Sequence, residues 1–319
     1  MVDLNTALAQ IAQKAKLANE TASTFRGELY GPSGVGKSVI AAMIMRNLVR
    51  DGLILDIDTS EGYVSWKNHP GLSDGIVIVP FTTIDDLVIL ADGIKAKVPP
   101  FDNVKCIIFD EGSKMAEQDA IRVNRARQSG TYGDSLQKTA NYIAEGPDYM
   151  IALERWREML FKMMDIRDLN VIVCAHQGEK KDRSGATIGV FPQFSPKINA
   201  STKEYMHLVA NLVRTVQNNP ANPGVPDYVM MAQVHPTIMV DAKCRMSIQT
   251  TKVYSNELPE LIYNWIHDGG TLEKAKDEAK PDEPSIETLT SGTTGELNLN
   301  ATVVDETYDV IDFGLETVE

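Results

Sequence analysis

The chain has 319 residues, of which 43% are hydrophobic and 24% charged, a composition typical of a globular protein with one large domain or two small ones. No run approaches the roughly 20 apolar residues of a membrane-spanning helix, and the N-terminus lacks the charged and apolar regions of a signal peptide. The three cysteines lie too far apart in sequence for a metal-ligand motif. We therefore expect a cytoplasmic protein with no membrane contact.

The formal net charge of −13 is concentrated at the C-terminus. Residues 271–319 contain 13 acidic side chains and 3 lysines, a balance of −10, so residues 1–270 carry −13 − (−10) = −3. The acidic segment is rich in Glu, Asp, Thr and Pro, and we expect it to be a largely disordered tail. A nearly neutral body leaves nucleic-acid binding to local basic segments.

Apolar residues at the N-terminus recur at helical spacing, at Leu4, Leu8, Ile11 and Ala15. This pattern predicts a helix within residues 1–20, which packs on its own domain or takes part in oligomerisation. The main domain is predicted to span residues 21–270.

Within residues 21–270, short apolar runs alternate with helical patterns. Strands are predicted at 53–57, 75–79, 104–109 and 171–175, with helices at 39–48, 84–97 and 149–166. Further strands are expected at 208–216, 229–234 and 245–251, before a last helix at 258–267. Unbroken Val and Ile runs are typical of strands covered on both faces. The sequence therefore predicts an α/β fold with a mostly parallel central sheet flanked by helices.

A complete phosphate-binding loop follows the first predicted strand and precedes a helix. It reads Gly31, Pro32, Ser33, Gly34, Val35, Gly36, Lys37, Ser38. In such a loop the backbone N–H groups and the helix N-terminus surround a phosphate, and the lysine reaches the β- and γ-phosphates. The motif predicts that the chain binds ATP.

An acidic residue at the end of a buried strand supplies the other half of such a site. Asp110 ends the run Cys106-Ile107-Ile108-Phe109, and we expect it to hold Mg²⁺ opposite the Ser38 hydroxyl.

Hydrolysis also needs a group that polarises the attacking water. The candidates are Glu61 and Glu111, with a modest preference for Glu61, and Asp58 is a supporting residue or an alternative base. Gln177 follows the strand at 171–175, where it could sense the γ-phosphate and transmit its loss to the next loop.

Lys243 and Arg245 alternate on a predicted strand end. They could cap the γ-phosphate of a neighbouring subunit, or they could simply face solvent.

Two basic segments are predicted to be loops at the ligand-bearing edge of the sheet. The first holds Arg122, Arg125, Arg127 and Lys138 with the aromatic residues Tyr132 and Tyr142. The second spans residues 178–197 and holds Lys180, Lys181, Arg183 and Lys197 with Phe191 and Phe194. Cations that follow phosphates, interleaved with rings that stack on bases, suit single-stranded DNA. The alternative is that both are ordinary solvated loops.

The order of these parts resembles the core of RecA-like P-loop ATPases. More narrowly, residues 20–270 resemble the phage single-strand annealing ATPases of the Sak type, within the family of phage nucleotide-binding proteins. The resemblance rests on residues 29–38, 58–62, 107–110 and 242–245. Two departures concern the general base: Glu61 lies three residues after Asp58, one more than in RecA, and Glu111 stands where RecA has Ser.

The resemblance implies an ATPase that binds single-stranded DNA and promotes annealing and recombination as a ring or filament, in the host cytoplasm if the gene is phage-encoded. It assigns Glu61 as catalytic glutamate, Gln177 as sensor and the basic segments as DNA contacts. The tail residues 308–316 resemble the acidic tails by which single-strand-binding proteins recruit partners, and a single-strand-binding or replication protein is the expected partner. The tail could also compete with DNA for the basic segments, or it could be an inert solubilising segment. Two other functions fit the same motifs: a nucleotide-switched protein-assembly ATPase without DNA binding, and a helicase or packaging motor.

Overall fold

The computed structural model describes residues 24–69, 71–128, 146–218 and 226–267. The strands in this part of the chain are β1 (Arg26–Gly31), β2 (Leu53–Asp58), β3 (Ile76–Pro80), β4 (Val104–Asp110), β5 (Asn170–Lys181), β6 (Thr187–Pro192), β7 (Leu208–Asn218), β8 (Pro226–Gln233), β9 (Lys243–Cys244) and β10 (Lys252–Tyr254). The helices are α1 (Lys37–Leu48), α2 (Ile84–Lys95), α3 (Gly112–Gln128), α4 (Gly146–Met164), α5 (Pro196–Tyr205) and α6 (Leu258–His267). Short 3₁₀ turns occur at Gly62–Ser65 and Ser255–Glu257.

The strands form one sheet in the order β10-β8-β7-β1-β5-β4-β2-β3. The strands from β7 to β3 in this order run parallel, whereas β8, β6 and β9 pair antiparallel with their neighbours. Strand β1 is therefore central, with β5 on one side and β7 on the other. The carboxyl ends of β1, β2, β4 and β5 meet at one edge, where open α/β sheets bind their ligands.

Two apolar cores cover the two faces of the sheet. On one face, α2, α4 and α5 pack through residues such as Leu87, Trp156 and Ile198. On the other face, α1 and α6 pack through residues such as Ile44 and Ile262. Burial on both faces explains why the central strands contain continuous runs of apolar residues.

The expected α/β class with a mostly parallel sheet is confirmed. One predicted strand, at 245–251, is wrong: the strands there are the short β9 and β10, and the chain between them leaves the sheet. The chain divides into two units, residues 1–273 and 274–319. The predicted N-terminal helix and acidic tail lie outside the described residues. Among the helices that the structure describes, none is long and apolar enough to cross a membrane.

The basic segments predicted to be loops are partly regular structure. Arg122, Arg125 and Arg127 lie in helix α3, and Lys180 and Lys181 lie at the end of β5, which forms a hairpin with β6. The residues Tyr132, Lys138 and Tyr142 lie outside the described part of the chain.

The prediction that Arg127 contacts DNA is wrong. Its side chain is 2% exposed, and its Nε donates to Asp148 Oδ1 at 2.8 Å. Asp148 is completely buried and also accepts from Asn124 Nδ2 at 2.8 Å. A guanidinium is buried this deeply only together with a carboxylate, because moving an unpaired charge out of water costs too much free energy. Arg127 therefore joins α3 to α4 and is unavailable to a polynucleotide.

We expect Arg127→Ala to lower the free energy of unfolding by about 3–5 kcal/mol, because it removes the positive charge that pairs with the buried Asp148 carboxylate. Arg125→Ala, at an exposed position on the same helix, should lower it by less than about 1 kcal/mol. Urea unfolding of both variants measures the difference. Equal, small effects would show that the ion pair does not hold the helices together.

Candidate nucleotide site

The phosphate loop connects β1 directly to α1. Pro32, Ser33 and Gly34 are exposed at its tip, while Val35 is buried in the core and anchors the loop. Gly36 precedes α1 with φ of 89°, a left-handed conformation that a residue with a Cβ rarely adopts. Among the described residues, no side chain caps the N-terminus of α1. The first backbone N–H groups of this helix are thus available to an anion.

Lys37 lies at the base of the loop and is 5% exposed. Its Nζ donates to the carbonyl oxygens of Gly31 at 3.2 Å and Pro32 at 3.1 Å. The loop therefore folds around its own ammonium group and places one positive charge where the N-terminal amides of α1 converge.

Asp110, Ser38 and Gly62 converge beside Lys37. A Cβ atom placed on Gly62 would lie 2.2 Å from Asp110 Oδ2 and 3.3 Å from Ser38 Oγ, so only glycine allows this approach. Both carboxylate oxygens of Asp110 are buried, and neither has a well-formed hydrogen bond from a described residue. A buried carboxylate left in this state, next to a hydroxyl, fits a divalent cation.

The environment of Asp110 shifts its protonation. Burial raises the pKa of Asp110 to about 6, and the nearby Ser38 hydroxyl and the Lys37 charge oppose the increase. The negative charges of Asp58 and Glu111 contribute to the increase. A cation bound at this carboxylate would remove the cost of burying its charge.

Asp56 is a buried acid that the sequence analysis missed. It is 0% exposed, and burial together with the charges of Asp110 and Asp58 raises its pKa to about 8. Its position in β2 puts it on the same face of the sheet as Asp110, beneath the turn that contains Trp66. The signal in the sequence was an acidic residue inside the apolar run Leu53–Ile57.

The turn after β2 is shaped by Asp58. Its Oδ1 accepts from the backbone N–H groups of Ser60 at 2.9 Å and Gly62 at 3.2 Å. Glu61, between them, has φ of 60° and is exposed. Among the described residues, none forms a hydrogen bond or ion pair with the Glu61 side chain. Asp58 therefore acts on the shape of the turn, and Glu61 extends from it into solvent.

Glu111 is held more tightly than Glu61. Its Oε2 lies 2.9 Å from His176 Nε2 and accepts from Ser60 Oγ at 3.4 Å. His176 lies within β5, level with Gly31 at the end of β1, and its backbone N–H donates to Ser113 Oγ at 3.1 Å. These contacts fix the Glu111 carboxylate directly after Asp110, between the turn after β2 and His176.

Gln177 is connected to the phosphate-loop strand through Asn211. Asn211 Nδ2 donates to Gln177 Oε1 at 3.1 Å and to the Tyr30 carbonyl oxygen at 3.4 Å. The amide of Asn211 thus bridges β7 and β5 across the end of β1. The sequence analysis missed Asn211, although a polar residue inside the apolar run 208–213 was the signal.

Lys243 and Arg245 lie before the phosphate loop along the strands, towards the amino ends of β1 and β7. Strand β9 pairs with Leu208 and Val209 at the start of β7, which is level with the start of β1. Lys243 Nζ donates to the carbonyl oxygens of Lys203 and Glu204. Burial and the charge of Arg245 lower the pKa of Lys243. Lys243 is level with Glu28, about 10 Å before Gly31 along β1, and Arg245 is level with Arg26, about 16 Å before it.

The two basic elements differ in their distance from the phosphate loop. The β5–β6 hairpin continues the strand next to β1, and Lys180, Lys181 and Arg183 are exposed on it. The Arg122 guanidinium instead donates to the Thr82 carbonyl oxygen at 2.6 Å, just after β3. Strand β3 is four positions from β1 in the sheet, about 19 Å away.

Comparison with known proteins gives one family. A family model described as an AAA domain matches residues 24–246. No curated protein sequence matches the chain.

Solved structures with a similar arrangement include the flagellar accessory protein FlaH from Methanocaldococcus jannaschii, at 12% identity and a TM-score of 0.32, covering 68% of this chain and 80% of that one. Another is an ATPase from the type III secretion system of pathogenic bacteria, at 13% identity and a TM-score of 0.35, covering 59% of this chain and 51% of that one.

We expect Lys37→Ala to reduce ATP turnover by at least about 100-fold, because it removes the charge that meets the terminal phosphates. Lys252→Ala, at an exposed position on β10, is the control and should keep wild-type turnover. Steady-state phosphate release measures both. Turnover by the Lys37→Ala variant at the wild-type rate would exclude this loop as the site of hydrolysis.

The pKa of Asp110 gives a second prediction. The gain in ATP affinity on adding Mg²⁺ should fall about tenfold per pH unit below pH 6 and stay constant above it, because the protonated carboxyl cannot hold the cation. Calorimetry with Mg²⁺ and with a chelator, from pH 5 to pH 8, measures this gain. Asp110→Asn supplies the pH dependence of the nucleotide alone. If wild type and this variant respond alike, Asp110 does not bind the cation.

Proposed function

We propose that this chain, which belongs to the AAA domain family and has the fold of a nucleotide-binding P-loop ATPase, is a DNA-dependent ATPase. In this proposal it binds single-stranded DNA and promotes strand annealing in recombination. The basic β5–β6 hairpin is the observation that supports DNA binding. It begins at Gln177, which is hydrogen-bonded to Asn211 beside the phosphate-loop strand. A polynucleotide on this hairpin would lie next to the nucleotide.

Each group near the loop has a role in the proposed ATPase activity. The N-terminal amides of α1 and Lys37 bind the phosphates, and Ser38 and Asp110 hold Mg²⁺. Magnesium, when bound, neutralises charge on the β- and γ-phosphates. The Gly62 turn closes over Asp110 and limits the access of water to its carboxylate.

We assign the general base to Glu111. Its carboxylate is fixed by His176 and Ser60 directly beside the metal carboxylate, which is where an attacking water would have to be oriented. Glu61 has no such support among the described residues, and it is the alternative if a bound nucleotide rearranges the turn after Asp58.

The link between nucleotide and DNA runs through Gln177. Its side chain already shares a hydrogen bond with Asn211 across the end of β1. Loss of the γ-phosphate would change the hydrogen-bond donors around the Gln177 amide, and the hairpin that starts at this residue would then change its position. The three exposed cations of the hairpin would then change their position relative to the DNA backbone.

The position of Lys243 and Arg245 supports oligomerisation. Both lie before the phosphate loop along the strands, and Lys243 Nζ donates to the carbonyl oxygens of Lys203 and Glu204, so we assign them to the γ-phosphate of a neighbouring subunit. We therefore propose a ring or filament in which each site is completed by the next copy.

One surface favours the second candidate function, a nucleotide-switched assembly protein. Three apolar side chains next to the basic hairpin are exposed: Ile188 is 41%, Met239 51% and Ile238 fully exposed. They are neighbours because Val190 N–H donates to the Met239 carbonyl oxygen. An apolar patch at this place would suit a protein partner as well as a base.

Replacing Lys180, Lys181 and Arg183 with alanine should weaken single-stranded DNA binding and flatten its salt dependence. Each phosphate contact contributes about −0.7 to the slope of log K against log salt, so three lost contacts change the slope by about 2. Titrations with a fluorescent oligonucleotide at several salt concentrations, in the presence of ATP, measure it.

The matched control replaces three exposed cations in turns that precede β2, β4 and β5, at the amino ends of the strands: Arg50, Lys97 and Arg167. It removes the same charge and should leave the slope unchanged. Equal changes in the two triple variants would indicate a general charge effect. The absence of any DNA binding by the wild type at low salt would favour the assembly protein.

A further inference from the structure

The β7–β8 hairpin presents a polar and aromatic pair beside the phosphate loop. Leu212 and Ala232 face α1 and α6 in the core, and side chains two residues further along each strand lie on the same face. On β7 the next such residue is Arg214, and on β8 they are Met230 and Tyr228. This face therefore extends past the core towards the N-terminus of α1.

Met230 shows how close the hairpin comes to the loop. A Cβ atom placed on Gly36 would lie 2.6 Å from the Met230 methyl carbon, and one on Gly31 would lie 2.4 Å from the Leu212 carbonyl oxygen. The hairpin is thus in contact with the phosphate loop on one side. Asp110 and Gly62 contact the start of α1 near Ser38 on the other side.

This arrangement determines how a bound nucleoside triphosphate is oriented in the loop. The terminal phosphates belong next to Lys37, Ser38 and Asp110, so the nucleoside end leaves the loop away from the metal carboxylate. Among the described elements, the β7–β8 hairpin is the one in contact with the loop on that side.

The outer part of this hairpin face suits a flat ligand. The Arg214 guanidinium carbon lies 5.9 Å from the centre of the Tyr228 ring. Both side chains are exposed, Tyr228 by 61%. No ion pair joins Arg214 to an acidic residue within the part of the chain that the structure describes. The guanidinium lies over one face of the ring, and both a guanidinium plane and an aromatic ring are surfaces on which nucleobases stack in proteins.

We propose that Arg214 and Tyr228 form the nucleobase subsite of the phosphate loop, with the base of ATP stacked on the Tyr228 ring and Arg214 near the base or ribose. This subsite is part of the proposed ATPase function and rests on nucleotide binding at the loop. It does not depend on DNA binding. It explains why an exposed tyrosine and arginine occur where the hairpin passes the loop.

Inorganic tripolyphosphate, which has the phosphates but no base, separates this subsite from the loop. Tyr228→Ala should weaken ATP binding about five- to tenfold, the effect of losing one base–aromatic stack, and should leave tripolyphosphate binding unchanged within about twofold. Arg214→Ala should act in the same direction. Tyr228→Phe should keep the wild-type affinity for ATP, because stacking needs the ring and not the hydroxyl. Calorimetry with each ligand in the presence of Mg²⁺ measures these affinities.

Tyr149→Ala removes a ring that is 43% exposed on α4, on the other face of the sheet, and should affect neither ligand. Lys37→Ala should weaken both ATP and tripolyphosphate, which identifies a failure of the loop itself. Equal losses of ATP and tripolyphosphate in Tyr228→Ala, or no loss of ATP, would overturn the subsite. So would a variant that loses oligonucleotide affinity while its ATP affinity is intact, since the pair would then serve DNA.

Discussion

The site depends on polar groups that the described part of the fold buries or orients without giving them well-formed hydrogen bonds. Among the described residues, no side chain caps the N-terminal amides of α1, and none forms a well-formed hydrogen bond with the Asp110 carboxylate, which is shielded from water. Each of these would cost the folded chain stability if nothing bound there. An anion at the helix and a cation at the carboxylate satisfy both at once. A magnesium–nucleotide complex is the ligand that carries these two charges together.

The topology of the sheet explains why this ligand can be connected to distant parts of the molecule. Because β1 is central, the phosphate loop has β5 on one side and β7 on the other, and both strands run on into hairpins beyond the edge of the sheet. The hairpin from β5 carries exposed cations, and the hairpin from β7 carries the Arg214–Tyr228 pair. The Asn211 amide joins these two strands above β1. A change at the γ-phosphate would therefore occur next to the residues where both hairpins begin.

The sequence was sufficient for features that are local in the chain. The phosphate loop and the strand that ends at Asp110 could be recognised because their chemistry lies within a few consecutive residues. The buried state of Arg127 could not, since it depends on Asp148, 21 residues away across a helix–helix contact. The Gln177–Asn211 contact joins residues 34 positions apart and required the strand order. The residues 245–251 have strand-like composition, but β8 already pairs with β7 on one side and with β10 on the other.

The region around β9 gives a reason to expect more than one copy in the working assembly. On the proposed function, hydrolysis needs a positive charge at the γ-phosphate in addition to Lys37, and in its own chain Lys243 Nζ donates to the carbonyl oxygens of Lys203 and Glu204 instead. Burial and neighbouring cations lower the pKa of both Lys243 and His207, so cations lie close together in this region. An anion supplied by a second copy would relieve that crowding. The same contact would complete the neighbour's site, so that assembly and hydrolysis would favour each other.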